Sequence, residues 1–176
     1  MIKLIDANEK YLKEYKIAYE KSVEKVKQGV IKKHDLMFVN IDEVDIIQKC
    51  KDNRIREKLP KGYVPSYDYF FVDDDKFIGI LHIRIELTTS LLKFGGNIGY
   101  GINPTYWHKG YGTKILELGL EKARELGLSN KVLITCNDDN IGSYKIIEKN
   151  GGVLENKIEH EIDNEIYLIR RYWIAL

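Results

Sequence analysis

The chain has 176 residues, 44% hydrophobic and 31% charged, with 28 Lys and Arg against 27 Asp and Glu for a formal net charge of +1. That balance describes a globular chain long enough for a real core, and it excludes a disordered protein and the strong basic footprint of a dedicated nucleic-acid binder. No apolar run reaches membrane-spanning length, no apolar h-region opens the chain, and Cys50 and Cys136 are too few and too unpatterned for a disulfide framework or a metal site, so a reduced, cytoplasmic single domain over 1–176 is expected.

Residues 1–5 alternate and predict a first strand. From Glu9 to Gln28, Leu12, Tyr15, Tyr19, Val23 and Val26 recur at helical spacing and Gly29 ends the run, with the intervening lysines on a solvated face. Asp42 is a candidate cap for a second helix to about Leu59, with Val44, Ile47, Cys50 and Ile55 inward, before the loop Pro60–Pro65. Strand-like runs Tyr69–Val72 and Phe77–Ile85 flank the turn Asp73–Lys76, and a polar link from Thr88 to Gly96 follows.

The segment Asn97–Leu118 carries the most information. A short apolar run, Ile98–Ile102, stops at Asn103-Pro104; then His108-Lys109-Gly110-Tyr111-Gly112-Thr113 leads into a helix with Ile115, Leu116, Leu120, Ala123 and Leu126 inward and Gly127 as its stop. Glycines at 110 and 112 let backbone approach a ligand, the first-turn amides lack internal partners at the positive end of the helix dipole, and Lys109 and Lys114 add charge, so a diphosphate would fit. The P-loop pattern fails for want of its Gly-Lys pair, and the dinucleotide fingerprint fails because Ile115 stands where its third glycine is needed. Beyond this segment, residues 131–136 read as a strand, Asn140–Asn150 as a short helix stopped at Gly151, and Val153–Glu159 with Ile166–Ile174 as a closing hairpin around Ile162-Asp163-Asn164.

The run Trp107-His108-Lys109-Gly110-Tyr111-Gly112 resembles the acyl-CoA loop of the GNAT superfamily of N-acyltransferases, Arg/Gln-x-x-Gly-x-Gly/Ala, with Trp107 where Arg or Gln is usual. The longer stretch from Ile98 to Thr113 is similar to the branch containing ribosomal-protein N-terminal acetyltransferases, and Arg84-x-x-Leu87 followed by Gly95–Tyr100 is similar to a subgroup of bacterial predicted acetyltransferases. The order of elements agrees along nearly the whole chain. The resemblance implies an α/β (α+β) fold, a mixed, twisted central sheet with helices on both faces, and an acetyl-CoA-dependent N-acetyltransferase that uses no metal. Its partners would be acetyl-CoA and an amine acceptor, a small molecule or a peptide amine, with no nucleic acid or membrane; a homodimer is compatible with it.

The resemblance further implies that the pantetheine arm pairs with backbone near Ile102 and Asn103, that residues 108–113 hold the diphosphate, and that Asn140 and Ser143 contact the cofactor. The family's usual base, an acid in Glu-Ile-Gly-Tyr, falls on Asn97, which cannot take a proton, so Glu86 is the nearest candidate in sequence. His82 and His108 read as structural, and a water chain to bulk base is an alternative. The motif Asn-x-x-Ala/Ser-x-x-x-Tyr matches at Asn140 and Ser143 but has Ile147 at the tyrosine position. Ser143 lies one turn before Ile147 on the same face, and Tyr144 is rotated from it by about 100°, so Ser143 and Tyr144 are candidates for protonating the leaving thiolate. A cysteine-like thiol pKa of about 8.5 lets that group leave with little help. The two N-terminal helices and the loop 60–68 would line the acceptor pocket, with Tyr63, Tyr67 and Tyr69 as wall residues. A non-catalytic acyl-CoA sensor of the same fold is the alternative function.

Overall fold

The structure, a computed structural model, describes residues 1–176. Strand β1 is Ile2–Ile5, helix α1 Leu12–Lys27, α2 Ile46–Asp52, β2 Ser66–Asp73, β3 Lys76–Arg84, α3 Thr89–Lys93, β4 Ile98–Ile102, α4 Tyr111–Glu125, β5 Lys131–Asn137, α5 Ile141–Lys149, β6 Val153–Ile162 and β7 Glu165–Ala175. The strands form a four-stranded sheet, β1-β2-β3-β4, and a three-stranded sheet, β5-β7-β6, each antiparallel within itself. The expected central sheet is thus in two parts, and the one backbone bridge between them pairs Gly96 with Ile134. In the closing hairpin Asp163 and Asn164 both adopt positive φ, 52° and 63°, the pair that a two-residue type I′ turn requires.

Two apolar clusters cover the faces of the first sheet. On one, Ile115, Leu116, Leu120 and Ala123 of α4 and Ile147 of α5 pack on Phe71, Ile78, Leu81, Ile83 and Ile98, and the cluster continues through Val132, Ile134 and Tyr172 of the second sheet. On the other, Tyr11, Tyr15 and Ala18 pack with Phe38 on Phe70, Val72 and Phe77. The buried stripe of the first helical segment is therefore Tyr11, Tyr15, Ala18 and Ser22, and Leu12, Tyr19, Val23 and Val26 flank it half-buried. No helix is long and apolar enough to cross a membrane.

The second helix is shorter than its sequence suggests. Its cap is Asp45, whose Oδ1 accepts from Gln48 N at 2.9 Å, whereas Asp42 pairs with Lys16 at 2.6 Å. It ends at Asn53 because that residue is claimed by β2: its carbonyl accepts from Ser66 N at 2.9 Å and its amide donates to Asp68 at 2.9 Å. The polar link after β3 contains a short helix, α3, capped by Thr88, whose Oγ1 accepts from Leu91 N at 3.2 Å.

Asn97 holds the two sheets together. Its backbone N–H donates to Leu133 O at 2.7 Å, its Oδ1 accepts from Leu133 N at 2.8 Å, and its Nδ2 donates to Arg84 O at 3.1 Å. The residue is 7% exposed, so no water replaces those bonds. The chain reaches it through Gly96, at φ 65°, where an added Cβ would lie 2.3 Å from Leu133 O. Asn97→Ala would strand a buried donor and a buried acceptor and should lower unfolding free energy by about 2–4 kcal/mol. Chemical denaturation tests this, and a loss below about 0.5 kcal/mol would show that the junction does not depend on the side chain.

Candidate functional site

Beyond Asn97 and Leu133, β4 and β5 separate, and two hydrogen bonds fix which backbone groups face the gap. Arg84 N donates to Asn97 O at 2.7 Å and Asn103 N to Ile78 O at 2.8 Å, so residues 99, 101 and 103, with the carbonyl of Asn97, turn their backbone toward β3. The alternating set, Tyr100 and Ile102, turns N–H and C=O toward the gap. On the other bank, Asp138 N bonds to Leu168 O, so the odd residues Thr135 and Asn137 face the gap from β5. Asn103, expected to offer backbone there, instead gives its N–H to β3, and its Oδ1 accepts from Thr105 N at 3.0 Å. Trp107, the residue that departs from the family loop, donates its indole N–H to Ile102 O at 2.9 Å. The gap therefore keeps the N–H of Ile102 and both backbone groups of Tyr100 as open partners.

The loop 107–110 delivers the chain to α4 with His108 at φ 59° and Gly110, the N-cap, at φ 83°. No side chain caps this helix and its first internal bond is Lys114 N to Gly110 O, so the amides of Tyr111, Gly112 and Thr113 are left for an anion. Gly112 also answers to packing: a Cβ there would lie 2.4 Å from Ile146 Cδ1, so its small size lets α4 approach α5. The ring of Tyr111 is held by Asp73, which accepts from its hydroxyl at 2.9 Å. Lys109 lies over the Tyr106 ring at 5.2 Å with no carboxylate partner, and Lys114 pairs with Glu117 at 3.0 Å.

Helix α5 begins beside the same gap. Asn140 Oδ1 accepts from Ser143 N at 3.0 Å, which caps the helix. The Ser143 Oγ lies 3.2 Å from the hydroxyl of Tyr100, which also reaches Ser143 O at 3.4 Å. Tyr144 turns away and packs its ring under the guanidinium of Arg170 at 3.9 Å, and Ile147 is fully buried. Tyr100 escaped the sequence reasoning although it sits in the quoted Ile-Gly-Tyr run; only the fold shows that it spans from β4 to α5. Burial pushes its phenol well above the ordinary value, and burial pushes the neighbouring Cys136 thiol up to about 12.

Across the gap from α4 and α5 lies the segment 33–39. Asn137 Nδ2 donates to Asp35 Oδ2 at 2.6 Å and lies 3.0 Å from His34 Nε2, while Met37 packs on Gly99 and Gly101 of β4. Burial raises the Asp35 carboxyl above its usual value. Val39 N donates to Tyr15 OH at 3.1 Å and ties the segment to α1.

Beside Met37 opens a cavity of about 540 Å³ between α2, the loop 59–64 and the outer faces of β2 and β3. Tyr63 and Tyr69 line it, but Tyr67 does not; its ring lies 5.3 Å from the Arg54 guanidinium. Glu86 is also outside it, half-exposed and ion-paired with Arg56. His82 is inside, with Nδ1 2.5 Å from Asp68 Oδ1 and Nε2 buried without a partner. No three His, Cys, Asp or Glu side chains gather into a metal site.

The sequence model of the acetyltransferase (GNAT) domain matches residues 42–153. No curated protein matches the chain in sequence. Among solved structures, the microcin C7 self-immunity acetyltransferase MccE, in complex with acetyl-CoA and AMP, is 20% identical with a TM-score of 0.73, over 99% of this chain and 92% of that one. RimL, the ribosomal L7/L12 α-N-protein acetyltransferase, is 17% identical with a TM-score of 0.73 over 99% and 90%. The Salmonella typhimurium acetyltransferase that modifies the N-terminal serine of L7/L12 is 18% identical with a TM-score of 0.70 over 99% and 95%. At these identities the likeness is one of fold.

The burial of both cysteines is open to direct measurement. Burial holds Cys50, like Cys136, at a pKa of about 12. Both thiols should therefore react with a disulfide reagent at pH 8 roughly 10³-fold more slowly than a free cysteine of pKa about 8.5, and at the free rate in denaturant. Fast labelling of Cys136 in the folded protein would show that the core around it is open to solvent.

Proposed function

The chain belongs to the GNAT acetyltransferase family, and from that premise we propose that residues 1–176 form one N-acetyltransferase domain that moves an acetyl group directly from acetyl-CoA to a primary amine. The carrying observation is the gap between β4 and β5, with the free amide of Ile102 and the open backbone of Tyr100 on one bank and the uncapped start of α4 at its mouth. A pantetheine arm is an extended chain of amides, and an unpaired strand edge is its natural partner. The diphosphate fits the amides of Tyr111, Gly112 and Thr113 with Lys109 beside them, and Asn140 stands at the start of the neighbouring helix. MccE, which shares the fold, was solved with acetyl-CoA. RimL and MccE are named as acetyltransferases, and the RimL acceptor is an α-amine.

In this reading the attack of the amine turns the thioester carbonyl anionic, and fixed backbone N–H groups of the gap stabilise that charge without reorganising. Positioning carries most of the rate. The leaving thiolate needs at most one proton, and Ser143, hydrogen-bonded to Tyr100, lies one helical turn before the place of the absent tyrosine. A second reading, a non-catalytic acyl-CoA sensor, draws on Asn97 and Ile147: the position of the usual base is consumed in the sheet junction and the position of the usual acid is core.

Calorimetry with acetyl-CoA and a panel of primary amines read by free-thiol release separates the two. The enzyme reading expects saturable binding and thiol release that requires an amine; binding with no release on any amine would give the role to the sensor. Within the enzyme reading, Ser143→Ala should lower kcat about 10-fold or more, and Tyr144→Phe should change it less than 2-fold, because the Tyr144 hydroxyl is directed away by Arg170. The reverse order would move the role to Tyr144.

A further inference from the structure

The N-acetyltransferase reading leaves the amine's proton unassigned, because Asn97 is spent on the sheet junction and Glu86 is bound to Arg56 outside the cavity. We propose that Asp68 and His82 are a carboxylate–imidazole dyad that takes the proton from the acceptor amine, and that the acceptor is a primary amine on an apolar body that enters the cavity beside them.

The geometry is that of an oriented base. His82 Nδ1 stands 2.5 Å from Asp68 Oδ1, and Asp68 Oδ2 accepts from Asn53 Nδ2 at 2.9 Å, so the carboxylate is fixed on both oxygens. Burial alone would raise the Asp68 carboxyl, but its bonds to His82 and Asn53 and the nearby Arg84 charge outweigh it and hold it below its usual value. An ionised Asp68 holds the imidazole proton on Nδ1 and leaves a lone pair on Nε2. That Nε2 is buried and has no partner, which is rare for a polar atom in a folded interior and calls for a ligand or a role.

The surroundings agree. The same cavity has walls of Ile46, Leu59 and Phe70, which suit an apolar body. Opposite His82 in the sheet register is Gly99, which Met37 covers, and Met37 and Phe38 cover Gly101 on that face. The dyad is therefore one strand away from the backbone of Tyr100 that opens into the gap. The other titratable groups on the wall are Arg84, Lys49, Cys50, Tyr15, Tyr63 and Tyr69. Burial raises Tyr15, Tyr69 and Cys50, the last to about 12, which removes those three as bases near neutrality.

The step balances simply. Nε2 takes one proton from the ammonium, and the freed nitrogen lone pair attacks the thioester carbon. The C–N bond forms, the C–S bond breaks, and the thiolate leaves with the electron pair and takes the second nitrogen proton. The imidazolium returns its proton to solvent.

The test is the pH profile of kcat/KM with the best amine of the panel, alongside acetyl-CoA binding. The parent should show an ascending limb besides that of the amine's own ionisation. His82→Gln should remove that limb and lower kcat about 100-fold with the acetyl-CoA dissociation constant unchanged. Asp68→Asn, which takes away a negative charge that favours imidazolium, should move the limb to lower pH. Imidazole added to His82→Gly should restore part of the rate. A profile of His82→Gln that overlays the parent, or a limb lost instead in Glu86→Gln or His34→Gln, overturns the dyad while leaving the acetyltransferase reading intact. If His82→Gln does not fold, an unmoved limb in Asp68→Asn overturns it. No thiol release from the parent with any amine ends both readings together.

Discussion

The whole arrangement depends on two sheets whose backbones are joined at a single junction. Asn97 and Leu133 exchange bonds through both backbone and side chain, and past them β4 and β5 have no partners in each other. A side-chain amide donates from one atom and accepts at another, so it can close both halves of the junction. A carboxylate there could not donate to Arg84 O, and an apolar residue could do neither. The unsatisfied edges below the junction are a cost the fold tolerates because they are its opening for a ligand.

Placement of helices follows from that opening. Helix α4 begins after Gly110 and α5 after Asn140, and Gly112, in the first turn of α4, lets that end pack on Ile146 in the second half of α5. The uncapped amides at the start of α4 supply positive potential there without an excess of charged residues. This is consistent with a chain whose formal net charge is only +1. On the opposite face the segment 33–39 closes the gap with side chains instead of backbone: Asp35 and His34 on β5, Met37 on β4.

What the sequence disclosed was local. The periodicity of α4, the stops at Gly127 and Gly151, the strand Ile98–Ile102 and the closing turn at Asp163-Asn164 are set by near neighbours, and all stand where the pattern puts them. The end of α2 was not legible because Asn53 is drawn off by Ser66 and Asp68, partners on another element. Asn97 read as a missing base, and its function as a junction depends on Leu133, 36 residues away. Trp107 read as a departure from a motif, yet its indole caps the carbonyl of Ile102. Likewise Asp68 and His82 are 14 residues apart and carry no spacing signal; strand pairing alone makes them neighbours.

The balance of charge around the cavity bears on which form of an acceptor it would hold. Arg84 and Lys49 face it as cations, and Asp68 is the opposing carboxylate, already engaged by His82 and Asn53. Arg84 is half-buried, and burial lowers its pKa, so its charge is only partly screened by solvent. An ammonium brought among these groups meets repulsion that a neutral amine does not, which lowers the amine's pKa in place and favours the form that attacks. A base of modest strength then suffices, because the environment has already moved the proton part of the way. The same field would disfavour release of an imidazolium's proton back to the bound amine and favour its loss to solvent once the amide, which carries no charge, has formed. Proton removal on this reading belongs to the cavity as a whole, with the imidazole as the proton acceptor and the half-buried guanidinium of Arg84 as the group that sets the direction.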